Sequence, residues 1–228
     1  MTDLRPHICV LVTALVALLA LPAAASANGG VGMPDETEDS AEGFTVNAKR
    51  SVWLGKSVTL SGREPSGAKT LRIERRAPGG AWRSIKTVRS GSDGAFKLRW
   101  TPDAPGRFDI RAVLTSAGGS TEPATRASAA RELLVFRPLR ATWYGPGFFG
   151  RQTACGRTLE KDTKGVAHRT LPCGTKVALS YGGREVVAEV IDRGPFANGA
   201  DYDLTQATTR ELGMTGTSRI GALPLRNR

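Results

Sequence analysis

The sequence has little of what metal and thiol chemistry need. Its 228 residues hold three cysteines and two histidines, and aromatic residues make up only 6%. A zinc centre normally takes at least three protein ligands, so this scarcity argues against a zinc site, and no metal or cofactor is expected. An uninterrupted apolar run of roughly 20 residues, the length needed to cross a bilayer, is also missing. Aromatics do not interleave with basic residues as in single-strand or RNA-binding modules, so nothing indicates nucleic-acid recognition. Acidic residues are scarce against basic ones, 21 to 32. The formal net charge is +11, although Asp35, Glu36, Glu38, Asp39 and Glu42 lie close together near the start. A body this basic attracts polyanions.

The N-terminus specifies where those polyanions are met. Arg5 precedes the apolar run Ile8–Leu21 and the small-residue stretch Ala23–Ala27. A charged start, an apolar centre and an A-x-A site at Ala25-Ser26-Ala27 make residues 1–27 a secretory signal peptide. No basic stop-transfer flank follows, so no stable membrane span is expected after cleavage. The product is a secreted, extracellular monomer starting at Asn28, with anionic wall polymers as candidate partners. Cleavage removes His7 and Cys9 and leaves His168, Cys155 and Cys173. Two cysteines in an oxidising compartment read as a structural disulfide, which removes the thiolate that a Cys–His hydrolase would need.

Past a Gly-rich acidic leader at 28–42, expected to be disordered, the pattern becomes all-β. In residues 43–136, short alternating runs (57–60, 71–74, 82–85, 96–100 and 108–113) are separated by Pro78-Gly79-Gly80, Ser92-Asp93-Gly94 and Ala104-Pro105-Gly106. That spacing predicts an immunoglobulin-like β-sandwich without a cysteine pair. Residues 116–131, rich in Ser, Ala, Thr and Gly, read as a loop or the approach to a linker. A second domain is expected over 137–228.

The residues able to carry chemistry lie in that second domain. On the strand Arg184–Asp192, Val186, Ala188 and Val190 share one face, and Glu185 and Glu189 the other. Asp192 continues the apolar face to the point where it reaches the surface, before Gly194-Pro195. Partial desolvation there favours the protonated acid, as general-acid work near neutral pH requires. The plainer alternative is an Asp that bonds the turn backbone or pairs with Arg193. Asp203, followed by Leu204-Thr205-Gln206, reads as the N-cap of a helix over 204–212 that Gly213 stops.

Four blocks carry a resemblance: Thr142-Trp143-Tyr144-Gly145, Ala167-His168-Arg169-Thr170-Leu171-Pro172, Asp192-Arg193-Gly194-Pro195-Phe196 and Asp203-Leu204. In this order and spacing they resemble the RlpA-like double-psi β-barrel family, related to the barwin, expansin and family-45 endoglucanase barrels. The resemblance implies a six-stranded barrel with short helices over 137–228. It also implies a groove for peptidoglycan glycan strands and a lytic transglycosylase activity between N-acetylmuramic acid and N-acetylglucosamine that leaves 1,6-anhydro ends. On the same resemblance Asp192 would be the general acid/base and His168 its groove partner. Trp143, Tyr144, Arg193, Phe196 and Glu160 would meet substrate, although the aromatics could equally be barrel core. Arg157 stands where the family commonly has Glu. In the groove it would favour an ionised Asp192 and weaken an acid role, which keeps a non-catalytic, expansin-like polysaccharide-binding or wall-loosening module open as the alternative. The family's lipoprotein cysteine and C-terminal repeat domain are not expected here.

Overall fold

Alternating side chains decide the first half of the fold. In the computed structural model, which describes residues 43–115, 126–196 and 199–225, seven strands come first. They are β1 (Thr45–Ala48), β2 (Ser51–Trp53), β3 (Val58–Arg63), β4 (Thr70–Arg76), β5 (Arg83–Arg89), β6 (Ala95–Trp100) and β7 (Gly106–Leu114). The five expected runs fall within or against β3 to β7. The signal peptide and acidic leader lie outside the described residues, as do residues 116–125 of the expected loop.

Strands β1, β3 and β6 form one antiparallel sheet, and β4 lies between β5 and β7 in a second. Val58 and Leu60 of β3, Phe96 and Leu98 of β6, Leu71 and Ile73 of β4, and Ile110 of β7 bury in one shared cluster. Two sheets therefore face each other across a common core. Each such side chain contributes about 1.5–3 kcal/mol of burial.

The remaining elements are β8 (Arg131–Tyr144), β9 (Val166–Ala167), β10 (Lys176–Tyr181), β11 (Arg184–Asp192), β12 (Tyr202–Thr205), α1 (Gln206–Leu212) and β13 (Ser218–Leu225). Neighbours run β12-β9-β11-β10-β13-β8, and β12 pairs back to β8 in parallel, so six strands close a ring. The β9–β11 pairing is also parallel, and the others are antiparallel. Val166, Val177, Leu179, Val190, Leu204 and Ile220 fill the ring, with Leu212 of α1 packed into the same cluster.

One strand, β8, runs through the expected domain boundary between 136 and 137. Its first residues pair with β7, Leu134–Phe136 with β2, Arg137–Ala141 with β13 and Ala141–Tyr144 with β12. Pro138 lies inside β8, opposite Gly221 of β13. Trp53, Leu134, Phe136, Ala178 and Leu223 pack together where the halves meet, and Trp53 Nε1 donates to Ser180 Oγ at 3.3 Å. The expected helix start, with Asp203 as its cap, is corrected. The N-cap is Thr205, which accepts from the N–H of Thr208, and the helix starts at Gln206. Gly213 ends it at φ 75°, in the left-handed region, as the sequence indicates.

Candidate active site

The barrel register brings four residues into one row. Thr142 of β8 lies opposite Asp203 of β12, Asp203 opposite Ala167 of β9, and Ala167 opposite Asp192 of β11. With strands about 4.8 Å apart, the two aspartates stand roughly two strand spacings apart, with only a methyl group between them. Together they line a groove of about 330 Å³, walled by Trp143, Tyr144, Phe148, Pro195 and Phe196.

Asp192 is held from its backbone side. Its Oδ1 accepts the N–H of Ala154 and that of Arg193, both at 2.8 Å. Turn bonding, the plainer reading of this residue, is thus present, and Oδ2 is the oxygen left for a ligand. The Ala154 donor lies in the loop between β8 and β9, and a disulfide beside it, Cys155–Cys173, fastens that loop to the approach to β10. The bridge expected from the sequence is formed, and it sits next to the group that fixes Asp192.

Asp203 does not cap the helix. The chain stays extended for two more residues because β12 pairs with β8, and the Asp203 carboxylate accepts from Thr142 Oγ1 at 2.8 Å. Burial pushes its pKa up. The Thr142 hydrogen bond pulls it down, and the nearby Asp192 charge pushes it up again. Thr142 and Ala167, both inside recognised blocks, were not singled out in the sequence, because only the cross-strand row reveals them.

Tyr144 completes the floor. Its hydroxyl is buried and lies beside Asp192 without meeting hydrogen-bond geometry. Burial, and then the charges of Asp192 and Asp203, hold the phenol well above its ordinary range, so it remains a donor. Trp143 is 38% exposed, Phe148 51% and Phe196 83%. These are rim side chains rather than core, and Phe148 joins the two expected from the sequence. Apolar faces open to solvent around paired carboxylates suit the apolar face of a sugar ring.

Other predicted residues fall elsewhere. The His168 ring packs against Tyr202 at 4.8 Å, and its Nδ1 accepts from the N–H groups of Thr170 and Leu171 at 3.1 and 3.0 Å. Burial, and then the Arg169 charge, lowers its pKa. It joins Asp192 through the backbone, N–H to O at 3.2 Å, and its side chain does not line the groove. Arg193 lines the groove, but its guanidinium donates to the carbonyls of His168 and Leu171 and to Cys173 Sγ, not to Asp192. Arg169, unremarked in the sequence, braces the carbonyls of Pro195 and Ala200 at 2.7 and 2.8 Å. Glu160 is exposed and outside the groove lining. Arg157 is exposed too and reaches Glu189 at 3.7 Å, so the expected obstacle to an acid role does not line the groove.

Comparison with known proteins finds likenesses over the barrel residues. Residues 137–226 match the family model described as Lytic transglycolase. The chain is 45% identical over 87 residues to a Synechocystis sp. protein named "Probable endolytic peptidoglycan transglycosylase RlpA", covering 37% of this chain and 27% of that one. A protein of the same name from Aquifex aeolicus is 41% identical over 86 residues, 37% of each chain. "Endolytic peptidoglycan transglycosylase RlpA" of Campylobacter jejuni is 39% identical over 88 residues, 38% of this chain and 31% of that one. The chain thus spans about a quarter to a third of the length of these relatives.

Proposed function

Taking residues 137–226 as a member of the RlpA-like double-psi β-barrel family, we propose that the groove between Asp192 and Asp203 is the active site of a peptidoglycan lytic transglycosylase. The observation that carries this reading is the register row, which aims two carboxylates into one aromatic-rimmed groove across the small Ala167.

The reaction needs no water. The C1–O4 bond between N-acetylmuramic acid and N-acetylglucosamine breaks, and the muramyl sugar's own O6 closes on C1. The proton leaving O6 is balanced by the one that O4 gains. Asp203, whose pKa burial raises against the pull of the Thr142 hydrogen bond, suits donation to O4. Asp192, fixed through Oδ1, takes the O6 proton on Oδ2. The two carboxyls then exchange the proton through solvent in the groove. Thr142 orients Asp203, and the neutral Tyr144 hydroxyl donates to a sugar oxygen. Trp143, Phe148 and Phe196 stack on neighbouring sugars. His168 acts through the turn that leads from β9, as a positioning residue.

We read residues 1–27 as a signal peptide and the protein as exported to the cell wall. The facing sheets of the first half support an immunoglobulin-like module. The test is mass spectrometry of the soluble products released from purified peptidoglycan. Products with 1,6-anhydromuramyl ends, abolished in Asp192→Asn and Asp203→Asn, support the enzyme. Tight wall binding with no released glycan would move the barrel to the non-catalytic, expansin-like class.

A further inference from the structure

The cations of the first half fall into two groups. On β4 and β7 and the residues around them, nearly every arginine is compensated. Arg72 and Arg111 share Glu74 at 2.7 and 2.9 Å, Arg75 meets Asp103 at 2.9 Å, Arg76 meets Asp109 at 3.0 Å and Arg107 meets Glu132 at 2.6 Å. Arg76 and Arg111 also cover the Trp82 ring, 4.5 and 4.0 Å from its centre. These five arginines of β4 and β7 form a self-neutralised network.

The outward face of the β1-β3-β6 sheet is different. Alternation places Arg63 on β3 and Lys97 and Arg99 on β6 outward, with Arg89 arriving from the end of β5. Among the described residues, Lys97, Arg99 and Arg89 have no carboxylate partner, and Arg63 has only a loose contact with exposed Asp93 at 3.6 Å. Between the cations the same face presents hydroxyls and an amide. Ser61 lies opposite both Lys97 and Asn47, and Thr59 lies opposite Arg99. Arg63, Arg89 and Lys97 border a groove of about 730 Å³, the roomier of the two described here. None of the exposed large apolar side chains lies on this face.

The two grooves therefore ask for different ligands. The barrel groove has carboxylates and aromatic faces, which suit an uncharged stretch of glycan. The sheet groove has unpaired cations and hydrogen-bonding hydroxyls, with no exposed ring on which a base or sugar could stack. Lys97 and Arg99, two residues apart on one strand, stand about 6.8 Å apart and can meet successive charges of one linear chain. Guanidinium forks match phosphate oxygens, and hydroxyls match a polyol.

We propose that the outward face of β1-β3-β6 is a binding site for a phosphodiester-linked polyol chain, a wall-type polyanion, separate from the barrel groove and independent of its chemistry. The face holds the protein on an anionic polymer. Nucleic acid is the competing class, and the missing stacking platform disfavours it.

The test is titration of the purified full chain with a deacylated glycerol-phosphate polymer over a range of salt concentrations. In Arg89→Thr/Lys97→Thr/Arg99→Thr, affinity at low salt should fall about ten- to a hundredfold and the log–log salt slope should shrink by about 2. The melting temperature should hold, since threonine suits exposed strand positions. Removing the same charge elsewhere, in Arg137→Thr/Arg140→Thr/Arg219→Thr, should change affinity less than about threefold. Equal losses in the two triple variants would reduce the effect to net charge and overturn the proposal. Tighter binding of single-stranded DNA than of the polymer, lost in the first variant, would assign the face to nucleic acid and overturn it as well. The single variant Lys97→Glu, read by the same titration, keeps the test sound if the triple variant is unstable.

Discussion

At the scale of the residue, the site rests on two aspartates, and the proton of Asp203 answers to its surroundings. The Asp192 charge pushes the Asp203 pKa up, and the Thr142 hydrogen bond pulls it down. Asp192→Asn should therefore lower the pH at which Asp203 titrates, and Thr142→Val should raise it. Carboxyl-carbon NMR of the two variants reads both shifts, and two shifts of one sign would refute this account of the site. Tyr144→Phe separates fold from chemistry. Its hydroxyl has no protein hydrogen bond to lose, so the unfolding free energy should stay within about 0.5 kcal/mol of the parent, while glycan release drops at least tenfold. Unchanged release would take the phenol out of the mechanism. His168 makes a pH prediction. Its folded pKa lies below the ordinary 6.5, so the unfolded chain binds the proton more readily. The stability tied to His168 is full above about pH 6.5 and is lost as pH falls from there through the folded pKa. Thermal melts from pH 7.5 to 5 should show that decline and lose part of it in His168→Gln.

At the scale of the element, what alternation controls was legible and what distant pairing controls was not. The strand Arg184–Asp192 announces itself because Val186, Ala188 and Val190 must share a face, and β11 has those bounds. The disulfide follows from counting two cysteines. Asp203 reads locally as a cap because Asp before Leu-Thr-Gln is cap chemistry. The pairing that keeps it extended lies some sixty residues away, in β8. The cap that does form, Thr205, also accepts from the N–H of Gly165 at 3.2 Å. Thr205→Ala should cost about 1 kcal/mol as a lost cap, since the Gly165 donor keeps Thr208 Oγ1 at 2.9 Å, measured by denaturant unfolding. The disulfide spans 18 residues. Cys155→Ser/Cys173→Ser should cost about 2–4 kcal/mol. If the bridge also positions the Ala154 donor on Asp192, activity at a temperature where the variant is fully folded should fall as well. Full activity there would make the bridge a stabiliser only.

At the scale of the whole described chain, β8 governs cooperativity. The loop-like composition of 116–131 and the blocks that open at 142 suggest a boundary, and sequence has no means to show that one strand serves two cores. Cutting there would strip Trp53, Leu134 and Phe136 from the cluster that covers Ala178 and Leu223. At about 1.5–3 kcal/mol for each large apolar side chain uncovered, a barrel fragment starting at 137 should melt well below the full chain. The full chain should unfold in one calorimetric transition. Two resolved transitions, with the fragment melting at the temperature of the upper one, would show the halves to be independent.

The shared strand also bears on inheritance. Exchangeable modules are joined by spacers that tolerate a cut, so recombination can move either side into a new setting. Here the seam runs through the hydrogen-bonded interior of β8, where β2, β7 and β13 all take up register within a few residues of one another. A crossover at the seam would leave each recipient with half a strand and an uncovered cluster. Barrels like this one recur in relatives that match the chain over fewer than ninety residues, so a new pairing at this seam would need matched substitutions at Trp53, Phe136 and Leu223.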